Sequence, residues 1–417
     1  MKDPREFLLS LFKQAVHVCL PSVCLEAHLD NIDTSHGVCV IGAGKAAADM
    51  AATVYRTYGE SCHGAVVTRY GYESKEPTGK IKVLLAAHPV PDENSLVAAE
   101  TLLKIVADNP PNVPIVFLIS GGGSALMSLP AEGIAFSEKL AIHRFLLRSG
   151  ASIDEMNVVR KQLSGVKGGR LAAAAKSDYY TFVISDLVGD DPSLIASGPT
   201  VADHSTKAQA LAILEKYHWT PIPSIKTLLL ASSAPQSPAK ITDKYSIIAN
   251  ANLAIDSARV LADKSDWKTK VLNYHQQGEA ADVARQHAKL ALEALEQGEK
   301  VILLSGGELT VTLGNESGQG GPNQEYMLAL AIALNGVKGI CALSCDTDGV
   351  DGSKDIAGAF IDETTLARAK DKQLDPKEYL ARHDSYHFFD GIDGLIVTGP
   401  THTNVNDFRA IMINRAG

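Results

Sequence analysis

An α/β chain divided into two domains is the fold class that three features of the sequence predict. Short β-branched runs alternate with Ala- and Leu-rich stretches of helical period along most of the chain, the pattern of βαβ units and largely parallel sheets. The run Ile115-Val116-Phe117-Leu118-Ile119 is apolar at every position, as a strand buried on both faces must be. A Ser/Ala/Pro-rich stretch over 232–240 separates a helical segment at 207–217 from a fresh strand, and a domain boundary is placed there. The expected domains are 1–235 and 236–417, in keeping with 417 residues at about 150 per domain.

The first element is a capped amphipathic helix. Asp3 is the N-cap, Pro4 takes the first helical position, Glu6 completes a box, and Phe7, Leu8, Leu11, Phe12 and Ala15 share one face. Its apolar run over 7–12 is too short for a signal-peptide core. Strands are then expected at 38–41, 65–68, 114–120, 180–185, 246–249, 300–305, 340–344 and 395–398. The longest apolar stretches, such as 326–334, fall well below the roughly 18 residues that a membrane span needs. A cytoplasmic protein without a membrane partner is therefore expected.

Lys and Arg number 39 against 48 Asp and Glu, a net charge of −9. That balance argues against nucleic acid as a partner, because displacing counterions from phosphates takes a basic footprint. The six cysteines, Cys19, Cys24, Cys39, Cys62, Cys341 and Cys345, form no C-x-x-C pair. Neither a zinc ribbon nor a disulfide framework follows, and a reducing compartment is the simpler setting.

In α/β folds ligands sit beyond the carboxyl ends of strands, so the strand-to-helix turns carry the candidate chemistry. Gly42-Ala43-Gly44-Lys45-Ala46-Ala47 matches the dinucleotide pattern G-x-G-x-x-A. The acid that would hold a ribose at the end of the next strand is missing, since Arg69 and Tyr70 stand there. Lys45 is placed to meet a phosphoryl group as a cation, or else is a solvated lysine on a tight turn. Ser120, Gly121, Gly122, Gly123 and Ser124 close the most apolar strand. They let backbone N–H groups approach an anion, or let a helix pack closely on its sheet. No Walker A loop and no protein-kinase signature is present.

The segment 157–170 is the densest basic stretch of an acidic chain, and glycines flank its cations. Arg160 and Lys167 are the candidates there for a phosphate or carboxylate contact. Asp186, Asp190 and Asp191 lie just past a buried strand, and a Mg-nucleotide site needs carboxylates so placed. Asp186 is either a metal ligand or a base for an attacking hydroxyl; acids that only cap the next helix are the alternative. The run Asp346-Thr347-Asp348-Gly349-Val350-Asp351-Gly352 is not a calcium loop, because Ala357 occupies the position of the closing Glu. An acidic turn lining a cleft remains. His402 has no nucleophile motif nearby and gives no triad.

Together these segments resemble the glycerate 2-kinase family, whose C-terminal part is called the MOFRL domain and some of whose members carry a hydroxypyruvate reductase label. The matching stretches are 42–47, His88-Pro89-Val90-Pro91-Asp92, 120–126, 159–161 with 167–169, 185–199, Ser305-Gly306-Gly307-Glu308, Asn323-Gln324-Glu325, 347–352 and 403–405. They run in order through nearly the whole chain. The resemblance implies ATP- and Mg²⁺-dependent phosphorylation of D-glycerate at its 2-hydroxyl. It places the active site in a cleft between a Rossmann-like N-terminal domain and a smaller α/β C-terminal domain.

On this basis Lys45, Asp186 and Arg160 are the expected catalytic residues, with Asp186 and Asp190 for the metal. Nucleotide contacts are expected from Gly42, Gly44, Ser120, Gly121, Gly122, Gly123, Ser124, Lys167, Gly306, Gly307, Glu308, Asn323 and Glu325. The expected partner is a small hydroxy acid. The oligomeric state stays open, a homodimer among the options. Pro322 stands where the family usually has Arg, Lys354 where it commonly has Thr and His402 where it commonly has Gly. Either another cation, Arg160, Lys167 or Lys354, replaces the missing one, or the substrate differs. A nicotinamide-dependent hydroxypyruvate reductase and a weakened sugar-acid or nucleotide-binding module are the rival readings.

Overall fold

The computed structural model describes residues 3–231, 244–313, 318–352 and 354–414. It divides into two compact units, Pro21–Ile248 and Met1–Leu20 with Ala249–Gly417. The boundary expected at 235/236 lies outside the described residues. The N-terminal helix, counted above with the first domain, groups with the C-terminal residues.

The unit Pro21–Ile248 is built on six strands, β1 (Val38–Ala43), β2 (Cys62–Arg69), β3 (Lys80–Ala86), β4 (Ile115–Ser120), β5 (Tyr179–Ile184) and β6 (Tyr245–Ala249). Their order is β3-β2-β1-β4-β5-β6. The pairings β1–β2, β2–β3, β1–β4 and β4–β5 are parallel. The order reverses between β1 and β4, so the turns leaving these two strands open the crevice where such sheets bind ligands. Every residue of β1 and β4 is buried, as their apolar runs require.

Helices Ala47–Tyr58 and Glu93–Asp108 cross between strands. The second starts on a reciprocal cap, with the Asp92 carboxylate accepting the Ser95 N–H at 3.0 Å and Ser95 Oγ accepting the Asp92 N–H at 3.1 Å. Ile41, Val67, Phe117, Leu102 and Val106 share one core. A second apolar cluster, with Leu146, Val159, Leu214 and Trp219, joins the helices Phe136–Ser149, Ile153–Gln162 and Lys207–Lys216.

The other unit begins with the helix Pro4–Val18. Asp3 caps it by accepting the Arg5 N–H, and Phe7, Leu8, Leu11, Phe12 and Ala15 are its buried face. Its sheet contains β7 (Lys268–Gln276), β8 (Lys300–Gly307), β9 (Ile340–Asp346), β10 (Gly358–Ile361), β11 (Leu395–Ile396) and β12 (Asp407–Asn414). The order is β11-β10-β9-β12-β8-β7. Only β7–β8 is parallel; the other four pairings are antiparallel. The expectation of largely parallel sheets is therefore corrected here. The last strand returns between β8 and β9, and it escapes a reading by apolarity because it carries Asp407 and Arg409. The helix Pro322–Leu334 lies buried along nearly its whole length. Among the described residues no helix is long and apolar enough to cross a membrane.

Candidate active site

Three turns meet at the carboxyl ends of β1, β4 and β5. Gly42 and Ala43 are the last residues of β1 rather than part of the turn. A Cβ at Gly42 would fall 2.8 Å from the Leu118 carbonyl and from the Val66 side chain, so this glycine serves strand packing. Gly44 has φ +144°, and a Cβ there would run into Ser120. The two turns are locked together. The Gly44 N–H donates to the Val67 carbonyl at 3.1 Å and the Lys45 N–H to the Gly121 carbonyl at 2.9 Å. The Ala46 N–H donates to Ser120 Oγ at 3.0 Å. Lys45, half-buried, is thereby fixed at the reversal point of the sheet.

Asp186 leaves β5 and lies against the turn after β4, since a Cβ at Gly121 would collide with its carboxylate. Gly122 has φ +82°, and a Cβ there would sit 3.1 Å from the His88 ring and 3.5 Å from the Lys45 side chain. A lysine, a histidine and a carboxylate thus gather around Gly121 and Gly122. Only glycine fits at Gly121, because any side chain would displace the acid. Gly123 packs instead, on the Ala43 carbonyl and Ala196. Ser120 is fully buried and spent on the Ala46 N–H.

Ser124 links this centre to the basic segment. Its hydroxyl lies 2.9 Å from Ser197 Oγ, which donates in turn to Asn157 Oδ1 at 2.8 Å. Lys167 Nζ donates to the Ser124 carbonyl at 2.5 Å and to Ser124 Oγ at 2.6 Å. Lys167 is buried, and desolvation together with Lys139 and Arg160 pushes its ammonium well below the ordinary lysine range. Burial also lowers Arg160. Asp190, at φ +54°, lies near Tyr245, whose phenol is pushed up by burial and then by Asp191 and Asp190. Among the described residues no three His, Cys, Asp or Glu side chains gather as a metal cage. Mg²⁺ ordinarily takes one or two carboxylates, substrate phosphates and water, a donor set that Asp186 fits.

The remaining candidates belong to the other unit. Gly306 accepts a hydrogen bond at its carbonyl from Arg409 Nη2, and Gly307, at φ +92°, meets the Gln276 backbone. Glu308 is exposed. Asn323 is buried, and its amide donates to Asp407 at 2.6 Å and to Asp351 at 3.3 Å. Glu325 holds His383 Nδ1 at 2.8 Å, and burial raises its carboxyl pKa. Pro322 opens the helix at its first position, where no N–H is needed. Lys354 lies over the Tyr386 ring at 5.4 Å.

Asp351, read above as part of a cleft-lining acidic turn, points inward. It accepts the Asn323 and Gln324 N–H groups at 3.0 and 2.9 Å and so caps the helix Pro322–Leu334; burial pushes its carboxyl up to about 7. Sequence reasoning missed Lys139, His143 and Asp351 as interior titratable groups. Lys139 and His143 stand four apart on one helix, a spacing that puts them on one face and that could have joined them to Arg160 and Lys167.

Residues 7–230 match a family described as a domain of unknown function, DUF4147, and residues 301–407 match the MOFRL family. The chain is 46% identical over 381 residues to an Agrobacterium vitis protein provisionally named a hydroxypyruvate reductase, covering 90% of this chain and 98% of that one. It is 36% identical to the D-glycerate 2-kinase of Thermotoga maritima, over 98% of each chain. The crystal structure of a glycerate kinase from Thermotoga maritima superposes with a TM-score of 0.88 at 35% identity, covering 98% of this chain and 99% of that one.

Proposed function

Because this chain belongs to the glycerate 2-kinase family, we propose that it transfers the terminal phosphoryl group of ATP to the 2-hydroxyl of D-glycerate. The observation that carries the reading is the gathering of Lys45, Gly121, Gly122 and Asp186 where the strand order reverses. On this reading the N-terminal sheet is Rossmann-like, its strand order being that of dinucleotide-binding folds. Phosphoryl transfer needs positioning and charge neutralisation more than covalent chemistry, and these residue types supply both.

In this proposal Lys45 meets the charge that builds on the transferring group, and the open amides of the turn at Gly122 hold phosphate oxygens. Asp186 either holds Mg²⁺, with Asp190 as a more distant helper, or takes the proton from the 2-hydroxyl. Bound Mg²⁺ would neutralise phosphate charge. Arg160 or Lys167 holds the substrate carboxylate. Gly306, Gly307, Glu308, Asn323 and Glu325 are proposed nucleotide-side residues, of which Glu308 alone is exposed. The cytoplasm suits six cysteines, none of which is joined in a disulfide.

An ATP-coupled assay with D-glycerate, with NMR of the product to locate the ester, tests the reading; absence of ATP consumption with every small hydroxy acid would end it. The name of the Agrobacterium vitis relative favours a second reading, reduction of hydroxypyruvate by a nicotinamide cofactor. Against it, β2 ends at Arg69 and runs on into Tyr70 without a ribose acid. No NADH oxidation with hydroxypyruvate is expected.

A further inference from the structure

Lys139, His143, Arg160 and Lys167 line one small pocket in the Pro21–Ile248 unit, and its wall contains no Asp or Glu. Lys139 and His143 come from the helix Phe136–Ser149, Arg160 from the helix Ile153–Gln162, and Lys167 from the loop beyond it. The nearby Asp203 is already paired with Lys161 at 3.0 Å. Two polar atoms in this region, Arg160 Nε and His143 Nε2, are buried without a hydrogen-bond partner. The other ring nitrogen of His143 is held by the Pro89 carbonyl.

Like charges buried together without a counter-charge repel strongly in a low dielectric. Burial, and then the charge of Arg170, pushes Lys139 down to about 7; burial, and then Arg160 and Lys167, pushes His143 down to about 3. Arginine cannot escape in this way, since it keeps its proton. A fold tolerates such an arrangement when a ligand brings the missing charge. The pocket measures ≈ 20 Å³, little more than one water requires. It therefore admits the flat end of a small anion and not a whole nucleotide or sugar. Pro91 and Ser124 also line it, next to the turn where Gly122 meets His88 and Lys45.

We propose that this pocket receives the carboxylate of the acceptor hydroxy acid, and that Lys139 and His143 belong to that site together with Arg160 and Lys167. The identity of the acid rests on the kinase reading; the pocket itself does not. The test is thermal denaturation of the full chain with D-glycerate, glycolate, D-lactate or tartronate, and separately with a non-hydrolysable ATP analogue. It compares the wild type with Lys139→Met and, as a second variant, Arg160→Met. A cation that waits for a ligand destabilises the free protein, so Lys139→Met should melt higher than the wild type without acid. The carbonyl it leaves, that of Leu129, keeps the Gly165 N–H and Ser164 Oγ as donors.

Both variants should bind the acid about 30-fold more weakly or worse, and the shift given by the ATP analogue should remain. A lower melting point for Lys139→Met with an unchanged acid-induced shift in both variants would overturn the proposal. So would a wild type whose melting point none of the four acids moves. Failure of the kinase reading shows elsewhere, as absent ATP consumption alongside intact acid binding.

Discussion

Each unit buries a polar cluster, and the two are balanced in opposite ways. In the C-terminal unit, Arg409 pairs with Asp407 at 2.8 Å and also donates to Ser305 Oγ and the Gly306 carbonyl. Asn323 bridges Asp407, Asp351 and Ser344, and Asp351 accepts two helix N–H groups. Donors and acceptors meet inside the protein, so this cluster holds β8, β12 and the helix Pro322–Leu334 together. In the Pro21–Ile248 unit the cluster is cationic, and no acid lines its pocket. A buried network that closes on itself is architecture; one that leaves a charge unanswered is reserved for a ligand.

The largest effect should sharpen the reactive side of this contrast. Lys45 is held at the sheet reversal by its own backbone, through the Gly121 carbonyl, so its loss should spare the fold. Lys45→Ala should lower turnover of D-glycerate by about 10³-fold, the low end for a cation at a transferring phosphoryl group. Melting temperature should stay within a few degrees of the wild type. Wild-type turnover in the coupled assay would remove the role assigned to this lysine.

Next in size comes the closed network. Arg409 is 1% exposed, and Arg409→Met would leave Asp407 buried without its cation. Breaking such a pair costs about 3–5 kcal/mol, which urea denaturation should read as a loss of stability. In the other unit Lys139→Met removes a buried cation and should have the opposite sign. Two destabilisations of equal size would erase the distinction drawn between the clusters.

The sequence carries the two units unequally, for a physical reason. Strands buried on both faces, such as β1 and β4, must be apolar at each position, and they are legible as unbroken runs. Edge strands β3 and β7 begin with alternating lysines, Lys80 and Lys82, Lys268 and Lys270, and do not stand out. β12 is central, yet Asp407 and Arg409 disguise it: their charges cancel against each other, two residues apart, and their remaining hydrogen bonds go to Asn323, Ser305 and Gly306, far along the chain. The same cause divides the site. Glycine turns after apolar strands announce themselves, and Arg160 and Lys167 stand out by local charge density. Lys139 and His143 look like the solvated face of an amphipathic helix. Only the packing of Arg160 and Lys167 against them shows that the face is interior.

The last of these effects is a pH dependence, and it isolates one member of the open cluster. Burial, and then the charge of Arg170, lowers the Lys139 pKa from 10.5 to about 7; His143, Arg160 and Lys167 face the same pocket. Between those two pH values the unfolded chain binds a proton that the folded chain does not. Stability conferred by the folded form therefore rises with pH across that window, by up to about 1.4 kcal/mol per pH unit from this group. Lys139→Met has no proton to lose, so its advantage over the wild type should be largest near pH 7 and should shrink toward pH 10. Paired urea denaturations at pH 7.5, 8.5 and 9.5 measure this difference, and the other titrating groups cancel between the two proteins. A gap independent of pH would mean that Lys139 keeps its proton in the folded state, with a counter-charge that the lining of the pocket does not reveal.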